Sequence, residues 1–488
     1  MQRRNFLKTG LAGALLPTIS GSTNLLAQTG SKSSGKQGGP GVRAYIGDVA
    51  YGGFAAPGVV VETGTPHRLV CWSEAQYVPF WDIDGVWVTT EWLETLGVNS
   101  PYDFEPISDK QLRYTHVEII EAGPARAVLH WRYAVCDTLE RIFHGNTTAE
   151  EFHVVYPDGI TVRKVVAYPG TGDPVQGQPR MWEVGEMLLF LPKGSTPENT
   201  LGAQGMKISN IKGDSYTHKF LHGNIPLSKL KFNEVLGRFC EIYPPCRTWT
   251  EYIYHGGLVG RPEPFFVVAN DQNLFPHLHC HVCGGDHPET ILWQSMLLWK
   301  HYPLWHEPYY IGVQATEADL KNRPVSTSYV TVQPWVHSTA FDHPNPSIPF
   351  DAKWNPPQGT AWLMLQGVNP GNEDYPRRLA ASWLHPATIE TTAGRYMGFE
   401  ASERAYRLEP ADHQVEFTLR AAPGSPQINP VVIVETWCYG NPKITVDQQE
   451  LPSESYAVSW TGQRLVVWFK REVSGSAHVT IEGWPESG

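Results

Sequence analysis

Four histidines and two cysteines lie within the thirteen residues FPHLHCHVCGGDH, 275–287. Alternation along a β-strand would place four potential metal ligands on one face: His277, His279, His281 and Cys283. Six steps of about 3.3 Å spread these residues over roughly 20 Å, too far for one ion with bonds of about 2 Å. A His-x-His pair can bind zinc when a neighbouring strand supplies a third ligand.

Several interpretations of this stretch stay open. The metal site would combine His279 and His281 with a remote His255 or His287, and the candidate cofactor is a divalent metal, zinc or calcium. The Cys280-x-x-Cys283 spacing would instead need a turn. The remaining interpretations are histidines that line a polar cleft and histidines that are hydrogen-bonded for structure alone.

A second group of chemically active side chains follows the predicted strand ARAVLHWRYAV, 125–135. Alternation places Arg126, His130 and Arg132 on one face and large apolar side chains on the other. Such a face can hold a carboxylate-bearing ligand, because guanidinium groups bind carboxylates bidentately. The alternative is a solvated face that carries surface salt bridges. Arg163 or Lys164 of the next hairpin can extend the face, but alternation allows only one of them.

Aromatic rings surround two histidines in the segment WKHYPLWHEPYY, 299–310. Rings such as Trp299 and Trp305 can stack on sugars while polar groups bind hydroxyls. His301 or Tyr302 can act as a Brønsted base or acid. The alternative is an aromatic core whose histidines bond to the backbone.

Two further segments add candidates. Tyr254 and His255 precede a glycine pair in YIYHGGLVG, and they can bind or deprotonate a substrate. A glycosidase would need two carboxylates, and the acidic candidates are Asp82, Asp84, Glu91, Glu94, Glu183 and Glu186. Asp82 and Asp84 fit a turn or a cation site equally well.

Short alternating runs bounded by glycine, proline, asparagine and aspartate dominate the sequence, which predicts an all-β fold. The clearest hairpin is EEFHVVYPDGITVRKVVAYPG, 150–170, with its turn at Pro157-Asp158-Gly159. We expect a large β-sandwich-type domain followed by a smaller C-terminal β-sandwich, with a β-propeller-like first domain as the alternative. Further predicted strands lie at 125–135, 430–437, 464–473 and 477–484.

The predicted organisation begins with export signals. The twin arginines of RRNFLK precede a short apolar run, which is typical of a removable Tat signal. The predicted segments are a signal peptide at 1–27, a flexible linker at 28–41, a large β-domain with the active-site cleft at 42–340, a proline-rich connector at 341–394 and a C-terminal β-sandwich at 395–488. Residues 359–394 of the connector are alternatively the first strands of the second domain.

Composition excludes several classes of function. Without residues 1–27 the chain carries 35 basic and 49 acidic residues, a net charge of −14, which argues against nucleic acid as a partner. No phosphate-binding loop or dinucleotide fingerprint occurs, so we expect no nucleotide cofactor. No later apolar run reaches membrane-spanning length. Cys240 and Cys246 can form one disulfide in an oxidising compartment.

Four segments resemble exported β-rich proteins of bacterial polysaccharide degradation, polysaccharide lyases above all: RRNFLK, HWRYAV, YPDGITVRK and WKHYP. The resemblance implies a periplasmic or secreted enzyme that acts on a polysaccharide or oligosaccharide. We expect a lyase that cleaves uronic-acid-containing polysaccharide by β-elimination. A glycoside hydrolase with a carboxylate pair and a non-catalytic carbohydrate-binding protein are the alternatives.

β-Elimination assigns roles to these residues. Arg132, Arg126 or a metal would neutralise the uronate carboxylate, and His130 belongs to the same candidate catalytic set. His301 or Tyr302 would remove the proton, with His255 in reserve, and a tyrosine suits the acid. The expected substrate-binding residues are Arg126, Arg163, Tyr254, Trp299 and Trp305. The C-terminal domain has four tryptophans that can either pack in the core or bind sugar: Trp437, Trp460, Trp468 and Trp484.

Overall fold

The structure is a computed structural model. It describes residues 41–90, 92–97, 103–137, 139–170, 179–192, 195, 200–221, 251–269, 274–277, 290–292, 325–334 and 358–484. Strands dominate this part of the chain, which confirms the all-β prediction. No helix among the described residues is long and apolar enough to cross a membrane.

The first eleven strands in chain order are β1 (Arg43–Tyr51), β2 (Phe54–Glu62), β3 (Arg68–Trp72), β4 (Pro79–Ile83), β5 (Val86–Thr90), β6 (Glu94–Gly97), β7 (Asp103–Phe104), β8 (His116–Gly123), β9 (Arg126–Ala134), β10 (Thr148–Val155) and β11 (Thr161–Tyr168). The next ten are β12 (Pro179–Glu183), β13 (Gly185–Leu191), β14 (Leu201–Ser209), β15 (Ser215–Leu221), β16 (Glu251–Leu258), β17 (Pro264–Ala269), β18 (Leu274–His277), β19 (Thr290–Leu292), β20 (Val325–Pro334) and β21 (Thr360–Val368).

The helix α1 (Tyr375–Leu384) follows. The remaining strands are β22 (Thr388–Ala393), β23 (Arg395–Glu400), β24 (Ala405–Glu409), β25 (Gln414–Arg420), β26 (Gln427–Ile428), β27 (Val431–Val434), β28 (Lys443–Val446), β29 (Gln449–Glu450), β30 (Tyr456–Thr461), β31 (Arg464–Phe469), β32 (Glu472–Val473) and β33 (Ser476–Glu482). Short 3₁₀ turns lie at Ser73–Ala75, Pro106–Ser108, Phe143–Gly145, Ala401–Glu403 and Ser453–Ser455.

Two large sheets form the first part of the chain. One has the strand order β1-β2-β3-β4-β5-β13-β20-β18, and the other has the order β19-β15-β14-β16-β17-β21-β11-β10-β9-β8. A small sheet, β12-β6-β7, accompanies them. Sheets of eight and ten strands are not the four-stranded blades of a propeller, so the propeller alternative is wrong. One buried core contains side chains of both large sheets, including Leu69, Trp72, Trp87, Leu129, Trp131 and Trp362.

The predicted hairpin forms as expected. Strands β10 and β11 pair from Thr148↔Tyr168 to Val155↔Thr161. Gly159 has a φ of +76°, which favours glycine because a Cβ atom is strained there. The Asp158 carboxylate accepts a hydrogen bond from the Ile160 backbone N–H at 3.3 Å. The turn therefore uses the residue types that predicted it.

The predicted connector at 341–394 needs correction. Strand β21 pairs with β11 on one side and β17 on the other, so it lies inside the ten-stranded sheet. Strand β22, at the other end of the predicted connector, belongs to the C-terminal sandwich. Residues 341–357 lie outside the described residues. The apolar run TAWLMLQGV was the signal of a buried strand, and the proline-dense segment before it obscured that signal.

The C-terminal sandwich has two five-stranded sheets, β22-β25-β33-β28-β29 and β23-β24-β27-β31-β30. Their facing side chains form a separate core that includes Leu408, Phe417, Val434, Trp437, Leu465 and Ile481. The four tryptophans divide between the two interpretations. Trp437 and Trp468 are 2% exposed, whereas Trp460 and Trp484 are 44% and 58% exposed.

The C-terminal sandwich covers one end of the outer face of the ten-stranded sheet. A third core cluster joins sheet residues such as Val154 and Leu365 to Val431 of the C-terminal part and to Leu379 of α1. Asp158, at the β10–β11 turn, is buried against this part: Arg404 Nη2 and Asn429 Nδ2 each donate to its Oδ2 at 3.0 Å. The opposite end of the same sheet face carries half-exposed and exposed polar side chains.

Candidate functional site

A row of polar and aromatic side chains crosses the end of the ten-stranded sheet that lies away from the C-terminal sandwich. The strand register aligns Glu118 with His130, His130 with Phe152, and Phe152 with Lys164 across four neighbouring strands. The adjacent row aligns Arg132 with Glu150. We call this surface the His130 face, and it consists of Glu118, His130, Arg132, Glu150, Phe152 and Lys164.

The His130 imidazole is held on three sides. Its Nδ1 lies 2.9 Å from Glu118 Oε1, and its Nε2 lies 3.7 Å from Glu150 Oε2. The ring stacks on Phe152 with the centroids 4.6 Å apart and the planes inclined by 6°. The side chain is 14% exposed, but its Nε2 atom is buried and has no partner within hydrogen-bond distance.

The carboxylates determine the protonation of His130. Burial opposes a charged imidazole, but Glu150 and Glu118 outweigh burial and raise the pKa of His130. The same contact with His130, together with the charge of Arg132, lowers the pKa of Glu150. The face therefore favours an imidazolium between two carboxylates.

Lys164, rather than Arg163, extends the face. Arg163 points into the sandwich interior, where its Nε and Nη2 bind the two oxygens of Glu151 at 2.7 Å each. Tyr133 donates to the same carboxylate at 2.8 Å. Burial alone would raise the pKa of Glu151, but Arg163 and His153 lower it to about 2. The predicted substrate-binding role of Arg163 is corrected, since its guanidinium is enclosed with Glu151.

Arg126 shares the outer face of β9 but is also enclosed. Its Nε and Nη2 bind both oxygens of Glu121 at 2.9 Å, and Nη1 lies 3.6 Å from Glu403 of the C-terminal part. The Arg126 side chain is 3% exposed. This geometry corrects its predicted ligand-binding role, whereas Arg132 stays exposed at the other end of the strand.

His255 lies in a different hydrogen-bond chain. Its Nε2 is 3.0 Å from Ser209 Oγ and its Nδ1 is 3.3 Å from Glu263 Oε2. Asn369 Nδ2 donates to the same Glu263 oxygen at 3.3 Å. Burial would raise the pKa of Glu263, but His255 and Asn369 outweigh it and lower the pKa.

Ser209, His255 and Glu263 are connected in the same order as the nucleophile, base and acid of a catalytic triad. In this protein, however, the serine is buried and the acid is the most exposed of the three. The Glu263 side chain is 29% exposed, whereas His255 is 3% exposed and Ser209 is buried. A nucleophile must be reached by substrate, so we interpret this chain as one that holds β14, β16 and the start of β17 together.

His255 and Arg132 do not share a site. Four strands, β10, β11, β21 and β17, lie between β9 and β16 in the sheet, which separates the two strands by roughly 24 Å. Both ring nitrogens of His255 are also hydrogen-bonded. The predicted reserve-base role of His255 beside Arg132 is corrected for these reasons. Its predicted role as a remote metal ligand stays a prediction, because His279 and His281 lie outside the described residues.

Several predicted site residues lie outside the described residues: His279, His281, Cys283, His287, Trp299, His301, Tyr302 and Trp305. The same holds for Cys240, Cys246 and Cys280. His277 ends β18 and Tyr254 lies in β16, but their side chains are outside the described part. Among the described residues, no three histidine, cysteine, aspartate or glutamate side chains are grouped to hold a metal ion.

The described carboxylates of the hydrolase alternative have structural partners. Arg68 Nη2 binds Asp82 at 2.9 Å, and the Gly85 N–H donates to Asp82 Oδ1 at 3.0 Å. Asp84 and Gly85 have φ values of 50° and 82°, which are typical of a tight hairpin turn and agree with the turn interpretation of this segment. Glu94 is 6% exposed and accepts a hydrogen bond from Trp92. Glu91 and the side chains of Glu183 and Glu186 lie outside the described residues.

Sequence reasoning found His130 and Arg132 but missed Glu118, Glu150 and Phe152. The alternation in HVEIIEAG and EEFHVV was a usable signal, because it gives each strand one polar or mixed face. The pairing of those faces with His130 depends on the register between β8, β9 and β10, which no single segment encodes.

Comparisons with known proteins give little further guidance. No family model and no curated protein matches the chain. A chondroitin AC lyase of Streptomyces coelicolor A3, solved in complex with chondroitin sulphate, is 9% identical with a TM-score of 0.21 over 76% of this chain and 36% of that chain. The N-terminal domain of the Streptococcus gordonii adhesin Sgo0707 is 10% identical with a TM-score of 0.14 over 91% and 83%. TM-scores this low carry no argument about fold or function.

Proposed function

We propose that the protein is an exported carbohydrate-active enzyme, a lyase that cleaves uronic-acid-containing polysaccharide by β-elimination. One observation carries the proposal. The His130 face combines an imidazole of raised pKa with an exposed arginine and a partly exposed lysine on one sheet surface. The cationic side chains can bind an anionic sugar, and the imidazolium can protonate the oxygen that leaves when the glycosidic bond breaks.

Arg132 and Lys164 would supply the cationic groups. A uronate carboxylate that binds between them loses much of its charge, which acidifies the proton on the neighbouring C5. Arg132 is opposite Glu150 in the strand register and is exposed. Arginine suits this task because its planar fork matches a carboxylate.

His130 would act as the general acid. The C5–H bond breaks, its electron pair forms the C4=C5 double bond, and the C4–O bond breaks. The leaving glycosidic oxygen takes the Nε2 proton of the His130 imidazolium, for which the neighbouring Glu150 side chain must move aside because Nε2 is buried. The raised pKa of His130 keeps the charged form available near neutral pH. Glu118 and Phe152 fix the orientation of the ring.

The base and part of the sugar platform come from the segment 299–310. In this proposal His301 or Tyr302 removes the C5 proton, and Trp299 and Trp305 stack on flanking sugars. Replacing His301 and Tyr302 singly with glutamine and phenylalanine identifies the base. The base variant loses elimination activity while it keeps substrate affinity.

A divalent metal is a separate part of the proposal, with His279 and His281 as its central ligands and His277 and Cys283 as further candidates that cannot all reach the same ion. Zinc suits the imidazole and thiolate ligands, and calcium would need oxygen ligands in addition. Mass spectrometry of the purified protein should detect about one metal per chain. A substoichiometric content of zinc and calcium would contradict the metal site without affecting the His130 face.

Export is the remaining part of the proposal. The twin arginines should direct the folded protein to the periplasm or the medium. Fractionation of the native host separates the outcomes. Arg3→Lys with Arg4→Lys should keep the protein in the cytoplasm, and an unchanged distribution would contradict Tat export.

Product analysis tests the proposed reaction. The purified protein is incubated with a panel of uronate-containing plant and algal polysaccharides. A rise in ultraviolet absorbance from unsaturated uronate ends supports the lyase. Saturated reducing ends would indicate the glycoside hydrolase, and binding without turnover would indicate a carbohydrate-binding protein.

A further inference from the structure

An exposed group of rings lies at one end of the C-terminal sandwich. Trp484 is 58% exposed, and its ring centroid lies 5.9 Å from that of His413 with an interplanar angle of 30°. Tyr439 meets His413 edge-on with the centroids 6.4 Å apart. We call His413, Tyr439 and Trp484 the Trp484 platform.

Backbone contacts fix the Trp484 platform in place. The Gly483 N–H donates to the carbonyl of His413 at 2.9 Å, and the Gly440 N–H donates to the carbonyl of Trp484 at 3.4 Å. Tyr439 donates its hydroxyl to the carbonyl of Asp412 at 2.7 Å. Three separate chain segments thus hold the rings before any ligand arrives.

Gly483 permits this close packing. A Cβ atom at position 483 would lie 2.5 Å from the ring of Trp437 and 2.5 Å from Cβ of Tyr439. The buried Trp437 ring meets Tyr439 edge-on, with the centroids 5.3 Å apart. Tyr439 of the platform therefore rests on a buried aromatic ring, which restricts its movement.

Hydrogen-bonding groups surround the rings. His413 Nε2 lies 3.5 Å from Glu482 Oε1, and both side chains are partly exposed. Lys443 pairs with Glu482 in the strand register and is also partly exposed. An exposed tryptophan ring such as Trp484, bordered by polar groups, suits a pyranose ring, since the apolar face of the sugar stacks on the indole while its hydroxyls find donors and acceptors.

We propose that the Trp484 platform is a second glycan-binding site, which binds a pyranose ring of the polymer and holds the enzyme on its substrate. The choice of a glycan rests on the proposed function, but the site lies in the C-terminal sandwich and not on the His130 face. It has no role in the elimination itself.

Trp460 provides a matched control. It is 44% exposed on β30 of the same sandwich. Within the described residues its ring stacks on no other aromatic side chain. Trp460→Ala also removes an exposed tryptophan from the same sandwich. Any effect of losing exposed apolar surface in general should therefore be the same in Trp460→Ala and Trp484→Ala.

The experiment compares glycan affinity by isothermal titration calorimetry and gel retardation, using the full-length protein and the polysaccharide panel. Trp484→Ala should weaken binding by about tenfold or more, since stacking on one aromatic ring contributes on this scale. Trp460→Ala should bind like the wild type, and both variants should keep the wild-type melting temperature. Trp484→Tyr should recover most of the affinity.

Two results would contradict the proposed glycan-binding site. One is an equal polysaccharide affinity of Trp484→Ala and the wild type, and the other is that the wild type binds no polysaccharide in the panel. Turnover of short oligosaccharides is measured in parallel, because it depends on the proposed elimination site and not on the Trp484 platform. Trp484-dependent binding without unsaturated products would contradict the lyase activity and support the glycan-binding site. Unsaturated products without Trp484-dependent binding would support the lyase activity and contradict the glycan-binding site.

Discussion

The imidazole of His130 lies flat on the ring of Phe152, with the centroids 4.6 Å apart and the planes inclined by 6°. The two ring nitrogens face Glu118 and Glu150 at 2.9 Å and 3.7 Å. The ring is therefore held in one orientation, with each nitrogen directed at a carboxylate. The pair therefore connects the packing of β9 and β10 to the proposed acid chemistry.

Replacing His130 with glutamine should change how stability depends on pH. The folded-state pKa of His130 is raised above its ordinary value of 6.5, so its contribution is complete below about pH 6.5 and is lost as the pH rises through the folded value. Urea unfolding between pH 6 and 9 measures this. The free energy of unfolding of the wild type should fall over that window more steeply than that of His130→Gln. Parallel curves would contradict the assigned contacts.

The buried pair Glu151–Arg163 should be needed for folding. Arg163→Met leaves the buried Glu151 carboxylate without its guanidinium partner and should cost about 3–5 kcal/mol. The double variant Glu151→Gln with Arg163→Met removes both charges and should cost less than the single change. Chemical denaturation of the three proteins at pH 7 gives the comparison. A double variant that is less stable than Arg163→Met would contradict the account.

The same pair predicts acid sensitivity. The pKa of Glu151 falls from 4.5 to about 2 in the folded protein, so its contribution to stability is complete above about pH 4.5 and is lost as the pH falls towards 2. Unfolding measured from pH 6 down to pH 3 should show a shallower decline for Glu151→Gln than for the wild type. An identical decline would show that Glu151 is not held ionised.

Replacing His255 separates a structural from a catalytic role. His255→Phe leaves Ser209 and Glu263 without their shared partner and should lower the free energy of unfolding by about 1–3 kcal/mol. The kcat/KM of the folded variant should match that of the wild type, because His255 lies far from Arg132. A variant with unchanged stability and lost activity would make His255 catalytic after all.

Local alternation predicted much of this molecule from its sequence. In β9 it separated Arg126, His130 and Arg132 from the buried Trp131 and its neighbours, and around Gly159 the residue types predicted the turn. Both features depend on neighbours along the chain, which is why they could be derived.

Features set by distant pairing could not be derived. Alternation showed that Arg163 and Lys164 point in opposite directions, but only the pairing of β10 with β11 decides which of them joins His130. The strand β21 pairs with segments about 100 and 200 residues earlier in the chain. The hydrogen-bond chain of Ser209, His255 and Glu263 likewise joins separate segments, so no local sequence motif predicted it.

The most direct test of the central claim measures the ultraviolet absorbance of unsaturated uronate for the wild type, Arg132→Ala and Arg395→Ala. Arg395 is an exposed arginine of the C-terminal sandwich that pairs with Glu409, so its variant controls for the loss of a surface charge. We predict product from the wild type and Arg395→Ala, and a kcat/KM about 100-fold lower for Arg132→Ala. Equal rates for the two variants, or no unsaturated product from the wild type on any uronate polysaccharide, would contradict the claim that the His130 face is the site of β-elimination.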